Sequence, residues 1–306
     1  MKATVLQSTG SWYKIETDDG EIIQARLRGK MRLQDLDVTN PVAVGDRVSV
    51  EMDDEITASI TGVEERRNLI LRKATKKSKD ARNQIIAANI DAAVAMQAVA
   101  EPNPKPGFFD RFLVTCEAYD VPPALVFNKT DLLGKKNSEK TLNELTEIYR
   151  SLDYPVFHTS VKDPGSVQEF SDFIKDKLVV LIGHSGVGKS TLINAIDPEL
   201  NLKTAEVSRA SEKGRHTTTF AQLHRLNNGA KLVDTPGIRE FGLVNIYPEE
   251  LSLFFKEMKR AREECKFYDC THVHEPGCSV IEKVSNGEIA EQRYESYLNI
   301  LDSLKT

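Results

Sequence analysis

Two short stretches carry residue types suited to holding phosphate and reading a purine base. Gly183-His184-Ser185-Gly186-Val187-Gly188-Lys189-Ser190 has the spacing GxxxxGKS and leads through Thr191 into a helical run. Glycines at that spacing let backbone N–H groups turn onto phosphate oxygens, and the helix start adds its positive end. In such a loop Lys189 reaches the β- and γ-phosphates and Ser190 Oγ binds Mg²⁺. The second stretch is Asn128-Lys129-Thr130-Asp131, an N-K-x-D pattern. Its carboxylate can accept from the ring N1–H and the exocyclic amine of guanine, a donor pair that adenine lacks. Asn128 and Asp131 therefore favour GTP over ATP, because a buried acceptor left unpaired by the wrong base is costly.

Further residues fall where such a site needs them. Ser160 and Val161, within Thr159-Ser160-Val161-Lys162, sit where a last base-contacting loop is expected. Asp234-Thr235-Pro236-Gly237 supplies a carboxylate for Mg²⁺ (Asp234) and a backbone N–H for the γ-phosphate (Gly237). Between these, Thr217 or Thr218 offers a mobile hydroxyl that closes on the metal. The residue after Gly237 is Ile238, which can neither donate nor accept a hydrogen bond to an attacking water. Intrinsic hydrolysis is expected to be slow, with the missing group supplied from elsewhere in the chain or by a partner.

A third cluster is of another kind. Cys265, Cys270 and Cys278 lie close together with His272 and His274. Three thiolates and one imidazole make a closed tetrahedral set, the pattern of a structural zinc site, and Pro276-Gly277 provides the turn that returns the last ligand. Either histidine suits the spacing. The plain alternative is a group of free thiols.

These residues need a scaffold, and the pattern of apolar positions supplies one. At 306 residues the chain exceeds the usual size of one core, so two or three domains are expected. Residues 1–65 read as five short strands (3–7, 12–17, 21–27, 47–51 and 56–63) separated by turns, which suits a small OB-like barrel with an RNA-binding face. Residues 66–245 alternate strands (90–96, 124–127, 155–157, 178–182, 231–233) with helical stretches, the pattern of a parallel sheet covered on both faces. Both opening motifs follow the C-terminal end of such a strand, where open α/β sheets bind ligands. The base loop precedes the phosphate loop, the reverse of the usual chain order, so the nucleotide domain is read as circularly permuted. Residues 246–306 turn helical around the Cys/His cluster, with a last helix from about Ser285 to Leu304. Cys116 falls in an amphipathic run as a buried helix residue.

Composition narrows the classes. The net charge of −5 argues against indiscriminate nucleic-acid binding, although Arg66 to Arg82 forms a basic run that suits either a solvated linker or an RNA contact. The N-terminus lacks a signal-peptide run and Leu178–Ile182 is too short to span a bilayer, so a cytoplasmic protein without membrane association is expected.

The order N-K-x-D, G-x-S-G-V-G-K-S, R-H-T-T-T, D-T-P-G, then C-x4-C-x-H-x5-C behind a barrel resembles the ribosome small-subunit-dependent GTPase A family of circularly permuted bacterial GTPases. The likeness spans essentially the whole chain and departs at Val161, where alanine is usual. It implies a multidomain α/β fold: an OB-like β-barrel, a circularly permuted P-loop GTPase domain and a helical zinc-binding domain. It also implies hydrolysis of GTP to GDP, stimulated by the small (30S) ribosomal subunit, in late subunit maturation, by a monomer that binds rRNA through barrel and zinc domains. Within the site it implies His216 as a catalytic residue beside Lys189, Thr217 and Thr218, and His272 as the fourth zinc ligand. Two rival classes are a GTP-independent RNA scaffold, which leaves Lys189, Ser190 and Asp234 unexplained, and a P-loop kinase, which has no use for Asn128 and Asp131.

Overall fold

The computed structural model describes residues 1–29, 40–54, 56–72, 83–100, 102, 104–134, 136–202, 222–234 and 243–305. The first five strands are β1 (Lys2–Ser8), β2 (Tyr13–Thr17), β3 (Ile22–Leu27), β4 (Arg47–Met52) and β5 (Thr57–Val63). Period-two alternation sends Ala3, Val5, Tyr13, Ile15, Val48, Val50, Ala58 and Ile60 inward as one core. The strands run β1-β2-β3-β5-β4, and β4 returns to pair with β1, so the sheet closes into the expected barrel. Among the described residues, only β3 and β5 are parallel within it.

Next comes a hairpin that the basic linker reading did not foresee, β6 (Leu69–Arg72) against β7 (Gln84–Ala88). Two cations of the run are spoken for by ion pairs. The Arg66 side chain is 8% exposed and bidentate on Asp46, both contacts 2.6 Å, and Arg67 pairs with Asp91 at 2.8 Å. Residues 73–82 lie outside the described residues.

The nucleotide domain contains β8 (Ala92–Ala98), α1 (Pro106–Ala118), β9 (Pro123–Asn128), α2 (Lys136–Ser151), β10 (Val156–Thr159), α3 (Pro164–Ile174), β11 (Leu178–Ile182), α4 (Lys189–Ile196), β12 (Gln222–Arg225) and β13 (Lys231–Asp234). Its strand order is β10-β9-β8-β11-β13-β12. The first five are parallel, and β8 and β11 are buried along their length, as central parallel strands should be. Phe109, Phe112, Leu145 and Tyr149 cover one face from α1 and α2. Val167, Phe170, Ile174 and Leu192 cover the other from α3 and α4. The sixth strand departs from the expected parallel pattern: β12 is antiparallel to β13, and its far edge pairs with β1 of the barrel at Gln7 and Gln222. Barrel and nucleotide domain thus share one 11-stranded sheet.

The C-terminal part holds α5 (Lys256–Ala261), α6 (Ser279–Ser285) and α7 (Glu291–Lys305). The last helix therefore begins at Glu291 and not near Ser285, because Ser285 ends α6 and the Asn286-Gly287 turn interrupts the helical pattern. Tyr297, Ile300 and Leu301 of α7 pack in one core with Val114 of α1. Beside them Arg293, only 2% exposed, donates to Asp110 at 2.6 Å and to Glu257 at 2.7 and 3.2 Å. Cys116 is a buried residue of α1, as read. Among the described residues, no helix is long and apolar enough to cross a membrane.

Candidate nucleotide site and metal cluster

β9 carries apolar residues inward until Asn128, a buried polar side chain at its end. That amide bonds through both its nitrogen and its oxygen. Nδ2 donates to the Val187 carbonyl at 2.9 Å, and Oδ1 accepts from Thr159 Oγ1 at 2.8 Å. One side chain thereby ties the base-reading stretch both to the phosphate loop and to β10. Gly188, at φ +97°, has a reason beyond conformational freedom: a Cβ there would lie 2.4 Å from Asn128 Nδ2. The two motifs are built against each other.

Lys129 follows in the left-handed region at φ 62°, turning the chain so that Thr130 and Asp131 enter a short 3-10 turn. Thr130 Oγ1 points to the Thr159 carbonyl at 3.4 Å. Asp131 accepts from Ser160 Oγ at 2.6 Å and pairs with Lys162 Nζ at 2.7 Å. The Lys162 ammonium and then the Ser160 hydroxyl hold the Asp131 carboxyl below its ordinary value, so it stays ionised and acceptor-only. Val161 is exposed beside them. Lys162 and Thr159, quoted only as flanks of Ser160-Val161, emerge as direct partners of Asp131 and Asn128. Their nearness to the opposite motif depends on the parallel pairing of β9 and β10, which spacing alone does not reveal.

Gly183 to Gly188 bridges the end of β11 and the start of α4, with Val187 buried as an anchor and Ser185 and Gly186 exposed. Lys189 Nζ donates to the carbonyls of Gly183 (2.6 Å) and His184 (3.0 Å), so the ammonium lies across the loop it belongs to. Ser190 and Thr191 form the first turn of α4. The His184 ring rests on Phe108 at 4.8 Å and lines a cavity of ≈ 180 Å³ with Gln97, Lys105 and Ser185. Asp234 ends β13, which is parallel to β11, so it arrives at the same sheet end as Gly183. His216, Thr217, Thr218 and Gly237 lie outside the described residues.

Far from this end, Cys265, Cys270, His272 and Cys278 bring their donor atoms within 4.8 Å of one another. His272 Nδ1 is 3.3 Å from Cys278 Sγ and 3.7 Å from Cys265 Sγ, and these two sulfurs are 3.9 Å apart. A tetrahedral zinc with ordinary bond lengths separates such donors by about 3.5–3.8 Å. The donor set therefore fits the metal. Burial pushes the Cys270 thiol up to about 12 and keeps the His272 ring neutral by lowering its value. A divalent cation reverses the first effect and uses the second. His274, the competing ligand, is exposed outside the cluster.

Known proteins resemble this chain in both sequence and fold. The pattern of the RsgA GTPase family matches residues 63–244, and that of the RsgA N-terminal domain matches residues 2–60. Small ribosomal subunit biogenesis GTPase RsgA 2 of Bacteroides thetaiotaomicron is 43% identical over 302 residues, covering 99% of this chain and 96% of the relative. Small ribosomal subunit biogenesis GTPase RsgA of Christiangramia forsetii is 43% identical over 309 residues, with 99% and 96% covered. The crystal structure of YjeQ from Thermotoga maritima superposes with a TM-score of 0.79 at 37% identity, over 99% of this chain and 98% of that one. That of YloQ, a circularly permuted GTPase, gives 0.76 at 29% identity, over 99% and 94%.

Proposed function

Because the chain belongs to the RsgA GTPase family and is a GTP-hydrolysing enzyme, we propose that it acts in small-ribosomal-subunit maturation, with hydrolysis stimulated by that subunit. The observation that carries the nucleotide assignment is the hydrogen bond from Asn128 to Val187, which joins a base-reading stretch to a phosphate loop across 59 positions of sequence. In this reading the chain divides at about residues 65 and 245, works as a monomer in the cytoplasm, and contacts rRNA through its barrel and zinc domains.

Asp131 accepts from guanine N1–H and the exocyclic amine, while Asn128, Lys129, Thr130, Ser160 and Val161 shape the base pocket. Lys189 leaves the carbonyls of Gly183 and His184 for the phosphates, exchanging two neutral acceptors for a charged one. Backbone N–H groups from Gly183 to Ser190, with Thr191, cradle the remaining phosphate oxygens, and Gly237 meets the γ-phosphate. Ser190 and Asp234 hold Mg²⁺, with Thr217 or Thr218 closing on it; when bound, the ion neutralises phosphate charge. Water attacks the γ-phosphorus, the bond to the β–γ bridging oxygen breaks, and GDP and phosphate leave. Ile238 offers no group to orient that water, so His216 is assigned the role, aided by the ribosomal partner. The Cys265, Cys270, His272 and Cys278 set holds one zinc whose part is to shape its domain.

The test is GTP turnover with and without isolated small subunits. Slow turnover alone and a rise of roughly 10³- to 10⁵-fold, the range of known GTPase activators, is expected. An unchanged rate under conditions of confirmed binding rejects the assembly reading. Lys189→Ala should abolish turnover, and Asp131→Asn should shift preference from GTP to xanthosine triphosphate; retained turnover or unchanged preference in folded variants removes those residues from the site.

A further inference from the structure

Tyr268 is 98% exposed and its neighbour Phe267 is 41% exposed. Both stand on the loop between the first two cysteines of the metal cluster. Large aromatic rings this open are usually on mobile chain, but this loop is held from several sides. Lys266 N–H donates to the Gly277 carbonyl at 3.1 Å, and Cys270 N–H to the Phe267 carbonyl at 3.3 Å. The facing loop is tied by Glu275, whose carboxylate accepts from the N–H groups of Thr271 (2.9 Å), Val273 (3.0 Å) and His274 (3.1 Å). Tyr297 and Tyr294 of α7 then donate to the carbonyls of Thr271 (2.7 Å) and His272 (2.8 Å). The rings are displayed on a hydrogen-bonded frame.

Their surroundings indicate what they display for. Lys266 Nζ lies 5.5 Å from the Phe267 ring centre, a cation beside a π-face. Lys266, Asp269 and His274 are exposed on the same two loops, so the exposed side chains there are mainly polar, with Val273 the apolar exception. A ring that anchors a protein interface needs an encircling seal of contacts to exclude water. A base needs only one open face, because stacking buries both partners at once and tolerates any base identity. We infer that Tyr268, with Phe267 beside it, is a stacking platform for an unpaired RNA base of the small subunit. This rests on the small-subunit reading above and sharpens it to a point of contact.

Stacking is not phosphate neutralisation, and this separates it from the basic surfaces of the chain. Loss of a phosphate contact lowers both affinity and its salt dependence, whereas loss of a stack lowers affinity and leaves the salt slope unchanged. The experiment measures binding of the full-length protein to isolated small ribosomal subunits across a salt series, for the wild type, Tyr268→Ala and Tyr268→Trp. Zinc content and basal GTP turnover serve as folding controls. Tyr268→Ala should bind at least about tenfold more weakly with an unchanged slope, and Tyr268→Trp should keep wild-type affinity. Ultraviolet crosslinking of the bound wild type should join the Tyr268 peptide to a nucleotide. Wild-type binding with no loss in Tyr268→Ala, or a crosslink to ribosomal protein only, overturns the platform and leaves the small-subunit reading intact. No binding by the wild type rejects that reading, and the platform with it.

Discussion

The barrel and the C-terminal helices are fastened to the same nucleotide domain by opposite means. The barrel is joined mainly through backbone: β1 pairs with β12, Ala88 N–H donates to the Val44 carbonyl at 2.9 Å, and Gly45 lies against Ala88. The helices are joined mainly through side chains: Arg293 between Asp110 and Glu257, Lys256 over the Tyr154 ring at 3.9 Å, and Tyr119 donating to the Val244 carbonyl at 2.8 Å. Strand pairing has one register and moves as a unit, so a shift of β12 carries β1 with it. A side-chain joint can re-pair, but a buried charge in it cannot be left alone. On the proposed reading, the segment with Thr217 and Thr218 feeds β12, and that with Gly237 feeds the C-terminal helices. The two segments would then act on differently built joints.

Metal removal should test this difference most strongly. Binding energies of structural zinc sites, about 10–16 kcal/mol in isolated modules, are folding energy. Chelation should therefore release α6 and α7 while the barrel keeps its protection in hydrogen exchange. Uniform loss of protection would mean that the two ends are one cooperative unit. Arg293→Ala comes next. It leaves Asp110 and Glu257 buried without a counter-charge, a loss of roughly 3–5 kcal/mol, readable by urea denaturation. Replacing Arg293, Asp110 and Glu257 together by apolar residues should recover most of it, and failure to do so would show that the ions matter for more than charge balance.

On the barrel side, Gly45→Ala should cost about 1–3 kcal/mol for strain at positive φ alone. The new Cβ would also lie 2.2 Å from the Ala88 carbonyl oxygen, with Gly45 at φ +87°. The same denaturation measurement should show the loss, and a neutral result would mean that the barrel can back away from β7. The smallest effect is expected from Arg225→Ala, which opens the pair with Glu16. Arg225 is half exposed, so a change under about 1 kcal/mol is expected; a larger one would make this pair a true clamp.

Much of this was legible in the sequence because local pattern and local chemistry agree. Tyr13-Lys14-Ile15-Glu16-Thr17 alternates and is a barrel strand; Leu178 to Ile182 is apolar throughout and is a central strand. Asn128 and Gly188 are each recognisable in their own motif. What stayed hidden was pairing at long range. Gln222-Leu223-His224-Arg225 buries only Leu223 fully, so nothing in its own pattern marks a strand; it is one because β13 and β1 flank it. Arg66 looked like part of a basic linker, since Asp46 lies 20 positions earlier. The choice between His272 and His274 was equally closed to spacing. It follows from the left-handed turn at His272, φ 58°, which faces that ring to the sulfurs.

The position of β11 in the sheet bears on synthesis. β8 takes β9 on one edge and β11 on the other, yet β11 begins at Leu178, about eighty residues after β8 ends at Ala98. At typical elongation of about 5–20 residues per second, the newly made half-sheet waits roughly 4–16 s with one edge of β8 unpaired. That edge is Ala92 to Ala98, apolar but for Gln97, a template for misplaced strands. In a chain that makes its phosphate loop first, this central strand would be present before its neighbours. Here the re-cut order leaves that edge without its native neighbour for the whole interval.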